Sequence, residues 1–103
     1  MKVRVISLSD RTDRRKQFKE SNGDLLEQLD WSWFDAVPGT KLDYARLLEM
    51  GFDTDKNWRD PILKRTLTWG EVGCFLSHYR LWEECADTGE TILVLEDDAI
   101  LLE

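Results

Sequence analysis

Hydrophobic side chains recur along this chain in two rhythms. From Lys2 to Leu8 they are dense and β-branched, with Val3, Val5 and Ile6 set among polar residues, which predicts a strand. A helix is expected next, from Arg11 to about Ser21, with Asp10 or Thr12 as its cap. Asn22-Gly23 reads as an interruption before Leu25, Leu26 and Leu29 resume an apolar face. Trp31 to Phe34 predicts a second strand, Pro38-Gly39 a loop, and Asp43 to Met50 a short helix stopped by Gly51. Phe52 to Arg65 carries charges and Pro61 without periodicity and is read as a long loop.

The clearest helical rhythm runs from Trp69 to about Asp87. Thr68 and Glu71 are spaced as a capping box, Gly89 supplies a left-handed stop, and Val72, Phe75, Leu76, Tyr79, Trp82 and Ala86 mark the expected apolar face. Ile92 to Leu95 then forms an apolar run that ends against Glu96, Asp97 and Asp98. Such a run predicts a strand buried on both faces inside a parallel sheet. Strand, helix, strand, helices and strand in this order give a βαβ-type α/β layer without an internal repeat.

Composition narrows the class. The 103 residues suit one small domain, and a 42% hydrophobic content with five tryptophans argues for a packed core rather than disorder. A net charge of -7 gives no general attraction for nucleic acid or anionic lipid. Cys74 and Cys85, placed on one helix, would lie roughly 16 Å apart, too far for a bridge, which favours a reducing compartment. The first residues lack the apolar core of a signal peptide, and no stretch approaches a membrane span. The cytoplasm is the default reading, with a peripheral position on the inner membrane as its variant.

Candidate chemistry gathers at the strand ends. In open α/β sheets ligands bind beyond the C-terminal ends of the strands, and clustered carboxylates suit a hard cation such as Mg2+ or Mn2+ holding a diphosphate. Glu96, Asp97 and Asp98 occupy that place; a simple turn is the plain alternative. Arg11, Arg14, Arg15 and Lys16 crowd the start of the first helix, where the dipole disfavours cations, so an anion sharing the spot would make sense of them, although spacing alone favours the plain reading of a solvated basic face on an acidic protein. Ser77 and His78 are adjacent and point apart on a helix, which argues against a nucleophile pair. Trp58 and Trp69 flank the irregular stretch, where packing or stacking on a ligand would employ them.

Together these residues resemble a known family. Ile6-Ser7-Leu8 with Asp13-Arg14-Arg15, Phe34-Asp35-Ala36, the block from Gly70 to His78 with Trp82, and Leu95-Glu96-Asp97-Asp98-Ala99 look like glycosyltransferase family 25 in order and spacing. The family comprises bacterial lipooligosaccharide galactosyltransferases and the related collagen galactosyltransferase domains. The resemblance implies the Rossmann-like nucleotide-binding half of a GT-A fold, using Mn2+ (or Mg2+) and a UDP-sugar donor. It implies transfer of a hexose, in the first instance galactose, to a saccharide acceptor, with lipopolysaccharide biosynthesis as the setting.

Carried over by position, Glu96 and Asp98 would be the metal pair, with Asp97 between them. Ser7, Leu8, Arg14, Ser77, His78 and Asp97 would form or support the nucleotide site, and no residue is assigned as the catalytic base. Family members continue well beyond the acidic motif, so the chain is expected to be a single truncated domain that leaves Ile100, Leu101 and Leu102 uncovered. A homodimer through that end is a further expectation. The competing reading is a non-catalytic nucleotide-binding or interaction module of the same fold. A receiver-like signalling domain is disfavoured, because its acidic pair would follow the first strand.

Overall fold

The computed structural model describes residues 1–102. Its elements are β1 (Lys2–Ser7), α1 (Thr12–Leu26), β2 (Asp30–Asp35), α2 (Tyr44–Glu49), α3 (Trp69–Thr88) and β3 (Ile92–Glu96), with a single 3-10 turn at Gly39–Lys41. The three strands form one parallel sheet in the order β2-β1-β3. Val3 pairs in register with Trp31 and Leu93, and Val5 with Trp33 and Leu95. The chain is therefore a small α/β domain, as the alternation of periods predicts.

Strand alternation divides the core. Val3 and Val5 pack with Phe18 and Leu26 of α1, and Trp31, Trp33, Leu95, Ala99 and Leu101 close around them. Phe18 meets Trp33 edge-on at 5.4 Å between ring centroids. Arg4, one residue out of phase with Val3 and Val5, pairs with Glu84 of α3 at 3.2 Å and lies over the Phe34 ring. A second cluster, Leu42, Leu47 and Leu76, packs Val37, Met50, Phe52, Trp69 and Val72 under α3.

Several expectations are corrected. The helix is not interrupted at Asn22-Gly23; α1 runs through both to Leu26. Asn22 is buried because its side chain has tertiary partners: it donates to the carbonyls of Phe18 (3.0 Å) and Ala99 (2.9 Å) and accepts from the Leu101 amide (2.7 Å). Neither Asp10 nor Thr12 caps α1, whose N-cap is Arg11 with no side-chain cap bond. The strand buried on both faces is β1, not β3, because β1 has a neighbour on each side, whereas β3 is an edge among the described residues and exposes Leu93.

The α3 helix keeps its predicted capping box at Thr68 and Glu71 and its left-handed stop at Gly89. Its buried face is rotated from the expected stripe: Gly73, Leu76, Ser77 and Leu81 are inside, whereas Phe75, Tyr79 and Trp82 are exposed. Small residues point inward because a connecting loop crosses close over the helix. A methyl at Gly73 would fall on the Val37 carbonyl oxygen, and one at Gly39 would sit 2.6 Å from the Trp69 backbone. The stretch from Phe52 to Arg65 is irregular, as read; Asp60 orders part of it by accepting from the amides of Ile62 and Leu63.

Candidate donor site and its acidic turn

A cleft of about 220 Å³ opens at the C-terminal ends of β1 and β3, with Ser7, Leu8, Arg14, Ser77, Glu96 and Asp97 among its lining residues. Five of the six residues assigned to the nucleotide site meet there: Ser7, Leu8, Arg14, Ser77 and Asp97. His78, the sixth, does not line the cleft and lies beside Cys74 instead.

The acidic motif folds as a turn in which the Ala99 amide donates to the Glu96 carbonyl at 3.0 Å. Glu96 ends β3 while Asp97 and Asp98 lie in the turn beyond it, and the three acids part company. Glu96 turns toward α3, and its Oε1 lies 3.5 Å from the Cys74 sulfur. Asp97 turns toward α1, where it accepts from the Ser7 hydroxyl at 2.8 Å and from Arg14 Nε at 3.0 Å, and pairs with the same guanidinium's Nη2 at 2.8 Å. Asp98 is exposed on the turn.

The anions that meet the basic cluster are the protein's own carboxylates. Arg11 pairs with Asp13, Arg14 with Asp97 and Arg15 with Asp35. The Arg11 guanidinium hydrogen-bonds the Asp13 carboxylate and holds it down to about 2. Arg15, read from the sequence only as a member of the basic cluster, has a bracing role that its position did not reveal. It donates to the Ser7 carbonyl at 2.9 Å and to Asp35 at 2.8 Å, and stacks over Trp33 at 4.8 Å, bracing the ends of β1 and β2. A basic residue one turn into a helix that follows a strand was its only signal.

Ser77 is a brace as well as a wall of the cleft. It is fully buried, its oxygen accepts from the Val37 amide at 2.9 Å, and its hydroxyl donates to the Gly73 carbonyl at 2.8 Å. The loop after β2 is thereby pinned to α3. Burial pushes the Cys74 thiol up from its ordinary value, and the adjacent Glu96 carboxylate adds to the rise. Cys74 is consequently not poised as a thiolate nucleophile.

The residues present fit a hard cation in part. Among the described residues Glu96 and Asp98 enter no ion pair, so both carboxylates remain free donors, whereas Asp97 is committed to Arg14.

Comparison with known proteins shows the family. The model of glycosyltransferase family 25 (LPS biosynthesis protein) matches residues 1–103. The chain belongs to glycosyltransferase family 25. Over 97 residues it is 42% identical to procollagen galactosyltransferase 1-B of Xenopus laevis and 43% identical to inactive glycosyltransferase 25 family member 3 of Homo sapiens. A glycosyltransferase 25 family member of Anopheles gambiae is 41% identical over the same length. Each match covers 93% of this chain but only 16% of the relative. One relative is named for galactose transfer and another for inactivity, so the family name leaves catalysis to the site itself. No helix among the described residues is long and apolar enough to cross a membrane.

Proposed function

We propose that the chain is the donor-binding half of a GT-A type hexosyltransferase, moving galactose from a UDP-sugar to a saccharide hydroxyl in lipopolysaccharide or lipooligosaccharide assembly. The observation that carries this reading is the cleft beyond the parallel strands, which Arg11, Arg14, Glu96 and Asp97 all line. Arg14 hydrogen-bonds Asp97 through Nε, and its other N–H donors would be available to a diphosphate. Asp97 thus orients the guanidinium, and Ser7 in turn holds Asp97. Glu96 and Asp98 would hold a divalent ion, Mn2+ or Mg2+, whose charge would stabilise the leaving diphosphate.

The test is calorimetry of UDP with and without Mn2+. Mn2+ should tighten UDP, and Asp98→Asn should remove most of that gain. Equal affinity in Mn2+ and in chelator would sink the metal assignment. Arg14→Ala should weaken UDP at least about tenfold more than uridine, since a guanidinium fork recognises phosphate; equal losses would make Arg14 purely structural.

A second reading, a module of the same fold that binds without turnover, draws on the cleft itself. Its roughly 220 Å³ lies below the ~300 Å³ at which ligand pockets usually begin. A UDP-release assay with UDP-galactose, UDP-glucose and simple saccharides separates the two. Acceptor-dependent release supports transfer, and binding without release supports the module.

A further inference from the structure

The opposite faces taken by Glu96 and Asp97 leave one acid aimed at two ligating side chains on α3. Cys74 and His78 are four residues apart and therefore share a helix face. One ligand atom from each, together with a Glu96 carboxylate oxygen, lies within 4.8 Å of the other two. We propose that Cys74, His78 and Glu96 form a three-ligand site for a borderline-soft transition ion, Zn2+ foremost, with a fourth position open to water or a small ligand.

The donor set decides the metal. A thiolate and an imidazole favour Zn2+ over Mg2+ or Mn2+, which prefer oxygen donors throughout. The contacts are near what a tetrahedral ion requires. With Zn–S of about 2.3 Å and Zn–N and Zn–O of about 2.0–2.2 Å, ligand atoms around one ion sit roughly 3–4 Å apart. Sulfur and carboxylate are already at 3.5 Å. Cys74 and Glu96 are exposed and His78 is half-buried, so side-chain rotation can shorten the remaining distances.

Sequence and fold both constrain the site. The i, i+4 pair comes from a helix anchored by Gly73 and Ser77 against the Val37 loop. The carboxylate comes from the end of a strand whose pairing to β1 fixes which way Glu96 faces. Asp98 is absent from the group, so the ligand set differs from the Glu96–Asp98 pairing, although Cys74 and Glu96 also line the donor cleft. Both would draw on Glu96, and a zinc ion held there would compete with an oxygen-ligated ion on the turn. The inference goes beyond the transferase reading and does not depend on it.

Co2+ titration of the full chain, followed by optical absorption, tests the proposal without reading UDP or turnover. A thiolate-to-cobalt charge-transfer band should grow to saturation at one equivalent and be bleached by Zn2+. Cys74→Ser should abolish the band, and His78→Ala should weaken binding by at least about a hundredfold. Cys85→Ser should leave the band intact, since Cys85 instead donates to the Glu90 carbonyl at 3.0 Å. Asp98→Asn should also leave it intact. Absence of the band in folded wild type, or its survival in Cys74→Ser, would overturn the site. Alkylation of the wild type gives a check that needs no variant: Zn2+ should protect Cys74 but not Cys85, and equal labelling with and without Zn2+ would count against it.

Discussion

Gly73 shows how much one missing side chain can carry. Its Cα faces the Val37 carbonyl so closely that any Cβ must displace backbone, and the neighbouring Ser77 hydroxyl bonds the same loop. Gly73→Ala should therefore destabilise the fold by about 1–3 kcal/mol, although alanine is the better helix former. Denaturant melts would check it. A neutral or stabilising change would mean that the loop yields freely. The sequence marked Gly73 only as part of a motif, because a close approach between segments some 35 positions apart leaves no local periodic signal. Ser77 and Asn22 are similar: each looks like a polar residue in a helix, and each is buried by partners from elsewhere in the chain.

At the scale of the element, α3 was the most legible because its start and stop are encoded locally. The Thr68 side chain accepts from the Glu71 amide at 3.2 Å, and Glu71 accepts from the Thr68 amide at 2.8 Å. Thr68→Ala should cost about 1 kcal/mol. Glu71 also accepts from Arg65 at 2.7 Å, and that bond, foremost, with those from Thr68, lowers its carboxyl from 4.5 to about 2. A carboxyl depressed on folding stabilises the native state above its unfolded value and loses that contribution as pH falls toward the folded one. Wild type should therefore melt above Glu71→Gln at neutral pH, and the gap should shrink below pH 4.5 and close near pH 2. A gap unchanged across that range would place the stabilisation elsewhere. Which face α3 buries was less legible. Phe75, Tyr79 and Trp82 satisfy helical spacing, yet they lie on the exposed side.

Taken whole, the molecule buries one cluster against its sheet and another under α3 while leaving apolar side chains exposed. Phe75, Tyr79 and Trp82 lie within 6.3 Å of one another in sequence along one exposed face, and Ile100 and Leu102 are 69% and 89% exposed. Leu101 alone of the last apolar residues packs into the core, where the Asn22 bond to its amide holds it. Exposed apolar area of this kind drives association. The 103-residue chain should therefore self-associate at high concentration, and sedimentation should show a weight-average mass rising with loading. Ile100→Lys with Leu102→Lys should reduce it; a constant monomer mass in wild type would refute the expectation.

Hydrophobic period and capping residues were enough to determine an α/β order and most element boundaries, and the motif blocks between Ile6 and Ala99 carried the resemblance to the family. Those signals are local, written within a few residues of the structure they specify. The tertiary structure alone decided that β1 is the central strand, that α1 continues through Asn22, and that the basic cluster is answered by Asp13, Asp97 and Asp35. It also decided that adjacent acids face opposite layers, Asp97 toward Arg14 and Glu96 toward Cys74 and His78. The physical reason is common to all four. Each depends on which distant segment a side chain meets, and that follows from strand pairing and layer packing rather than from any spacing along the chain.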